Sequence, residues 1–185
     1  MDSMAKTDRP YLRRDSLIIL FLSAIALFTS SCSSEPGIDK NKFAELNRTL
    51  QEMKVAVASS DPCNVPNILE QQLDAGIRAV KDKARSKSER DLIAAYSNLL
   101  ITYKDGLLLC QSRTHLSNFD FFPKGRIYVS QELDPLVEKY DLAVEKHLYK
   151  PTGQYMRSID GNSILVIWDS VRFQIKNIEN MTNYS

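Results

Sequence analysis

The sequence predicts an all-α, single-domain bundle of about five amphipathic helices, with one aromatic loop and a helical hairpin clamped by a disulfide. Five stretches of the chain repeat apolar residues at steps of three and four, a spacing that places them on one face of a helix. Short polar segments separate these stretches, as they do in helical bundles. The apolar residue content of 43% is ordinary for a globular domain.

The first two helices are predicted from clear apolar stripes. The first stripe consists of Phe43, Leu46, Leu50, Met53 and Val57. Residues 59–62, Ser-Ser-Asp-Pro, end that helix. A second helix begins near Pro66, because proline is tolerated in a first turn, where its missing N–H would have no partner. Its stripe consists of Leu69, Leu73, Ile77, Val80 and Ala84.

The third helix has the most regular pattern in the chain. Ser86 and Glu89 form a capping-box sequence at its start. Its stripe consists of Leu92 or Ile93, Tyr96, Leu99, Leu100, Tyr103, Leu107 and Cys110. Asp105 and Gly106 interrupt the pattern, and a glycine costs about 1 kcal/mol of helix propensity.

Beyond Arg113 the helical pattern fails as far as Val129, and residues 118–125 read as an aromatic loop followed by a short extended piece from Arg126. Asp134 and Pro135 then start a fourth helix, which residues 150–153 stop. Its stripe is Leu136 or Val137, Tyr140, Ala143 and His147. A fifth helix opens at Asn162 or Ser163. Its buried face is Ile164, Ile167 or Trp168, Val171, Ile175 and Ile178.

Cys63 and Cys110 are predicted to form a disulfide. If the second and third helices are antiparallel, residues opposite one another lie at equal distances from the turn, and the midpoint of this pair falls between Ser86 and Lys87, at the predicted turn. An oxidising compartment would then close the bond. The alternative is two buried, reduced cysteines.

The first 31 residues read as an export signal. A polar start with Lys6, Arg9, Arg13 and Arg14 precedes an apolar run, residues 17–28, interrupted only by Ser23. A bilayer needs about 20 helical residues, so this run is too short to span one. Residues 28–32, Phe-Thr-Ser-Ser-Cys, resemble the lipobox of bacterial lipoproteins, which implies that Cys32 is acylated. The resemblance covers only residues 1–32.

This interpretation divides the chain into a signal peptide (1–31), a lipid-anchored linker (32–40) and a helical domain (41–185). The alternative is an ordinary secretory signal cut nearby, which would leave Cys32 as a free thiol. Arg13 and Arg14 resemble the start of a twin-arginine export signal. That signal has a large apolar residue where this chain has Ser16, so we expect export by general secretion. By the same resemblance, an aspartate after the cysteine would retain a lipoprotein at the inner membrane, and this chain has Ser33 there. We therefore expect a periplasmic body anchored in the cell envelope, at the outer membrane rather than the inner.

Composition and motifs argue against several functions. Four of the 24 basic and three of the 23 acidic residues precede Cys32, so 20 of each remain, and this balance does not favour nucleic acid. His115 and His147 have no histidine or cysteine at metal-ligand spacing. Glu138, Asp141 and Glu145 alternate with lysines, as on a solvated helix face. We predict no catalytic residue, metal or cofactor.

Two surfaces are candidates for interaction. Five basic residues, Lys81, Lys83, Arg85, Lys87 and Arg90, cluster at the tip of the predicted hairpin, where they could contact lipid headgroups or an acidic partner. The aromatic loop provides the second set, since interfaces are rich in aromatic residues and arginine. That set is Phe119, Phe121, Phe122, Lys124, Arg126 and Tyr128. A soluble turn and a lid folded onto the bundle are the respective alternatives.

These observations leave three hypotheses for function. The first is a non-enzymatic, membrane-tethered envelope lipoprotein that acts as an interaction or assembly module. It would contact the membrane through its lipid and bind an envelope protein. The second is a carrier of a small apolar ligand in the bundle, which a dry cavity beneath Phe121 and Phe122 would support. The third is an enzyme with an unrecognised site.

Overall fold

Residues 37–59, 63–116, 125–149 and 152–183 are described by the computed structural model, and they contain five α-helices and three β-strands. The helices are α1 (Ala44–Val57), α2 (Ile68–Lys81), α3 (Lys87–Leu116), α4 (Asp134–Lys139) and α5 (Ile164–Asn183). The strands are β1 (Arg126–Tyr128), β2 (Glu145–Tyr149) and β3 (Gln154–Asp160). Short 3-10 turns, Gln131–Leu133 and Gly161–Ser163, precede α4 and α5.

The stripes predicted for the four long helices form most of the core. Phe43, Met53, Leu73, Leu99 and Val171 are completely buried. Trp168 packs edge-on against Tyr103, with ring centroids 5.5 Å apart. The predicted first, second, third and fifth helices are therefore confirmed, although α3 continues to Leu116, three residues beyond Arg113.

Helices α2 and α3 form the predicted antiparallel hairpin. The Tyr103 hydroxyl donates to the Pro66 carbonyl oxygen at 3.1 Å, and Lys104 forms an ion pair with Glu70 at 3.2 Å. Cys63 and Cys110 are joined by a disulfide with a Cα–Cα distance of 5.3 Å. The Ser86 hydroxyl oxygen accepts the Glu89 N–H, so Ser86 caps α3 as the sequence predicts.

The all-α prediction is wrong, because the chain also forms a three-stranded antiparallel sheet in the order β1-β3-β2. Strands β2 and β3 are a hairpin closed at Thr152 and Gly153, whose N–H groups both donate to the Tyr149 carbonyl oxygen. Gly153 has φ +69°, a conformation that glycine adopts without strain. The extended piece predicted from Arg126 is strand β1, which pairs with β3.

The predicted fourth helix is correspondingly too long. It ends at Lys139 because Asp141 adopts φ +49°. The Asp141 N–H donates to Glu138 and the Leu142 N–H donates to Val137, which is the Schellman pattern that terminates helices. His147 was predicted on this helix and lies instead on β2.

The sheet packs onto the helices through one face of strands β1 and β3. Ile127 on β1 and its cross-strand partner Ile159 on β3 are completely buried. The Gly161 N–H donates to the Gly125 carbonyl oxygen at 2.7 Å, and a Cβ on Gly161 would overlap that carbonyl group. Strand β2, by contrast, has no buried residue and forms the outer edge.

Candidate docking groove

An open groove of about 620 Å³ lies between the end of α1 and the start of α2. We call it the distal groove, because α2 separates it by its whole length from the α2–α3 turn. The groove is lined by Gln51, Glu52, Val55, Ala56, Ser59, Asn64, Pro66, Ile68 and Leu69. Its surface is mainly apolar.

Two aliphatic side chains of the distal groove are unusually exposed. Val55 is 76% exposed and Ile68 is 53% exposed, while Leu69 beside them is buried. Val55 lies two residues after buried Met53, and a step of two residues turns a helix by about 200°. It therefore points away from the stripe that packs α1 into the core. Valine also has a lower helix propensity than most residues, so helix formation does not explain an exposed valine at position 55.

The chain around the distal groove is held at three points. Cys63 in the α1–α2 connection is bonded to Cys110 on α3. The Arg172 Nε of α5 donates to the Val57 carbonyl oxygen at the end of α1, at 3.4 Å. The Pro66 carbonyl oxygen accepts the Tyr103 hydroxyl. These contacts tie the groove to α3 and α5.

A second open groove, of about 570 Å³, lies between α3 and α5. Ile101 and Phe173 are exposed at its edges. Gln174 donates to the Thr102 hydroxyl at 2.8 Å, and the buried Gln174 Oε1 accepts no hydrogen bond from the described residues. This groove is more polar than the distal groove and presents amide and hydroxyl groups.

Lys139 lies at one end of the α3–α5 groove in a small hydrogen-bonded cluster. The Asp105 Oδ2 accepts from Lys139 at 2.6 Å and from the Tyr140 hydroxyl at 2.8 Å. Burial and the adjacent Asp105 raise the pKa of Tyr140. Burial would lower the pKa of Lys139, but its bonds to Asp105 and Tyr140 raise it overall. A lysine held protonated serves as a fixed positive charge and not as a nucleophile.

Most of the interaction residues predicted from the aromatic loop lie outside the described residues. Those are Phe119, Phe121, Phe122 and Lys124, together with the lipidation candidate Cys32. Arg126 and Tyr128 lie on β1. The Arg126 side chain is only 14% exposed; it donates to the Ser158 hydroxyl at 2.8 Å and pairs with Glu145 at 3.1 Å. Its guanidinium group joins all three strands of the sheet.

The predicted helix face of Glu138, Asp141 and Glu145 does not exist as such. Glu138 is exposed on α4, Asp141 lies in the turn after it and Glu145 is on β2. His147 lies 3.8 Å from Glu145, and the side chain of His115 lies outside the described part of the structure. Among the described residues, no group of three or more His, Cys, Asp or Glu side chains could hold a metal ion.

The predicted basic tip is present at the α2–α3 turn. All five of its basic residues, Lys81, Lys83, Arg85, Lys87 and Arg90, are exposed. Glu89 is buried behind them. The Glu89 carboxylate accepts from Lys42 Nζ at 2.5 Å and from the Arg85 N–H at 2.7 Å. These bonds lower the pKa of Glu89 to about 2.

Comparison with known proteins adds no family assignment. The chain matches no protein-family model, no curated protein and no solved structure. Within the described ranges, no helix combines the length and the apolar character needed to cross a membrane.

The distal groove is not among the surfaces predicted from the sequence. Val55 and Ile68 both stand beside the apolar stripes of their helices, at positions where a soluble helix usually has polar residues. That off-stripe placement was the available signal. It indicates exposure, but only the fold brings the two side chains to one groove.

Proposed function

We propose that this chain is a non-enzymatic envelope lipoprotein, anchored through acylated Cys32, whose helical domain docks a partner protein in the distal groove. The observation that carries the docking function is the exposure of Val55 and Ile68 in one preformed, largely apolar groove. Apolar side chains of a partner would fill this groove, since interface cores exclude water from such contacts. Gln51 and Asn64, which also line the groove, provide hydrogen-bonding groups for the partner.

The anchor is supported by the sequence. An apolar run too short to span a bilayer ends at Phe-Thr-Ser-Ser-Cys, which resembles a lipobox. Mass spectrometry of the mature N-terminus tests it directly. We expect a chain that begins at Cys32 and carries acyl groups, and an unmodified N-terminus elsewhere contradicts the anchor.

The groove is tested by site-specific photo-crosslinking in cells. A photoreactive phenylalanine analogue at position 55 should give a discrete adduct with one protein, and Ile68→Gln should abolish that adduct. The matched control is the same analogue at Leu148, which is 53% exposed on the outer strand β2. Equal adducts from both positions, or none from position 55, contradict docking in the distal groove.

A stability control separates docking from folding. Because Ile68 is exposed, Ile68→Gln should change the free energy of unfolding by less than about 0.5 kcal/mol. If an analogue at Phe173 gives the discrete adduct instead, the partner binds the α3–α5 groove, and the distal groove is not the docking surface.

A further inference from the structure

The point at which the chain enters the helical domain is fixed against the basic tip. Lys42 Nζ donates to the Lys83 carbonyl oxygen at 3.1 Å as well as to the Glu89 carboxylate. Glu89 also accepts a backbone hydrogen bond from Asp39. The side chain of Glu89 is only 4% exposed and that of Lys42 only 17%. A buried, hydrogen-bonded ion pair therefore joins the entering segment to the α2–α3 turn.

Apolar contacts hold the same entering segment. Ile38 and Phe43 are both buried in the core, so the chain is packed on either side of Lys42. Lys40, between them, is exposed and adds a positive charge to the region. The position of residues 38–43 beside the tip is consequently a property of the folded domain and does not depend on the preceding residues.

Basic side chains outnumber acidic ones on the surface of the tip. From residue 81 to residue 90 the five basic residues are exposed, and the two acidic residues are Asp82 and Glu89. Glu89 faces inward and is already paired with Lys42. The exposed acidic residues are Asp82 in this segment and Asp39 and Asp91 beside it, so the five basic side chains leave an excess of positive charge at the tip. Such a surface attracts an anionic membrane over about a Debye length, roughly 8 Å at physiological salt.

Covalent reach connects the tip to the anchor, and this step rests on the proposed acylation of Cys32. Cys32 precedes Gly37 by five residues, which span at most about 18 Å when fully extended. Since the described domain begins beside the tip, the anchor would be attached to the domain at the end that carries the tip. The distal groove lies at the far end of α2, about 20 Å away along its axis.

We propose that the basic tip, formed by Lys81, Lys83, Arg85, Lys87 and Arg90, binds anionic lipid headgroups and directs the distal groove away from the membrane. Each basic side chain at an anionic surface strengthens association by about fivefold. Binding by the tip thereby gives the lipid-tethered domain a defined orientation. The groove faces the compartment in which a partner diffuses.

Lysine labelling of the full chain in vesicles tests this orientation. The protein is reconstituted in phosphatidylcholine, with or without about one third phosphatidylglycerol, and labelled with an uncharged amine-reactive reagent. We expect labelling of Lys81, Lys83 and Lys87 to fall at least threefold in the anionic vesicles and to recover in 0.5 M salt. Lys104 on α3 and Lys146 on β2, both exposed, are the internal controls and should not change.

Variants make the test specific to the tip. Replacing Lys81, Lys83 and Arg85 with glutamine should abolish the protection of Lys87, while Lys104→Gln with Lys146→Gln should leave it intact. Equal labelling of the tip in both vesicle types overturns the proposal. Protection that is absent from vesicles but present in native envelopes also overturns it, because the tip then binds an acidic protein.

The labelled protein is digested and its peptides are analysed by mass spectrometry. The mass of the N-terminal peptide shows whether Cys32 is acylated, so the anchor and the orientation are tested separately. An acylated Cys32 with an unprotected tip leaves the anchor standing and refutes the orientation. A protected tip on a chain without acyl groups supports headgroup binding by the tip and refutes the anchor.

Discussion

Trp168 on α5 packs directly against Gly106 on α3, in a position that only the absence of a side chain makes possible. A Cβ on Gly106 would overlap three carbon atoms of the indole ring. Both residues are buried, and the indole also contacts Tyr103. Gly106 therefore permits the close approach of α3 and α5. In a helix, glycine costs roughly 1 kcal/mol relative to alanine, and the packing of Trp168 against Gly106 compensates for this cost.

We predict that Gly106→Ala destabilises the protein by roughly 1–3 kcal/mol, because the rigid ring has to move to make room. Gly76→Ala is the matched control. There the added Cβ meets the end of the Leu46 side chain, which can change rotamer, so we expect a cost below about 1 kcal/mol. Urea unfolding of both variants provides the measurement. If Gly106→Ala is as stable as the wild type, the contact with Trp168 does not determine the packing.

Breaking the Cys63–Cys110 disulfide should lower stability substantially. The bond closes a loop of 47 residues in sequence separation, and the chain-entropy model assigns such a loop about 4 kcal/mol. Cys63→Ser with Cys110→Ser should therefore shift the urea midpoint strongly downward. Cys32→Ser, which lies outside the helical domain, is the control and should leave the midpoint unchanged. A double variant with unaltered stability would show that the folded hairpin does not depend on the bond.

We predict that the free energy of unfolding decreases in acid because Glu89 becomes protonated. Its pKa is lowered to about 2 by Lys42 and by the Arg85 N–H. A carboxyl group with a lowered folded-state pKa stabilises the protein above its ordinary value of 4.5, and this contribution disappears as the pH falls to 2. We predict that Glu89→Gln costs about 3 kcal/mol at pH 7, as expected when a buried ion pair loses one partner.

Unfolding at pH 7, 4 and 2 tests this assignment. The difference between wild type and Glu89→Gln should shrink as the pH approaches 2. Glu132→Gln, an exposed carboxylate on the turn before α4, is the control and should follow the wild type at each pH. A difference that stays constant with pH would mean that the carboxylate charge of Glu89 does not contribute to the fold.

The four long helices could be predicted from the sequence because their buried residues recur at helical spacing. The sheet could not, because β2 has no buried residue and alternation of apolar and polar residues is therefore absent. Leu136, Tyr140 and His147 also happen to follow a helical spacing. The left-handed conformation of Asp141 ends the helix. Aspartate tolerates this conformation, but the presence of an aspartate in the sequence does not predict it.

The candidate site was predicted less well than the fold. The disulfide followed from symmetry about the α2–α3 turn, and the tip residues followed from local charge. The distal groove depends on how the ends of α1 and α2 meet, which periodicity does not determine. Likewise, Arg126 resembled an interface arginine in sequence, and only the strand order places its guanidinium group beside Ser158 and Glu145.

The aromatic segment, residues 117–124, lies outside the described part of the structure and remains a predicted docking element. Helix α3 passes Cys110 and ends at Leu116, so the chain enters residues 117–124 from the disulfide end of the bundle. The distal groove lies at the same end, because Cys63 and Asn64 are adjacent in the chain.

We predict that replacing both Phe121 and Phe122 with alanine weakens the adduct formed from position 55 by tenfold or more and leaves the melting temperature nearly unchanged. Exposed aromatic residues at an interface contribute to association and not to folding. The control is Leu148→Ala with Tyr155→Ala, an exposed cross-strand pair on the β2–β3 hairpin, which should alter neither quantity. If the two phenylalanines instead form a lid on the core, the double variant should lose roughly 3–5 kcal/mol for each ring. A stable double variant with a full crosslinking yield would exclude this segment from docking.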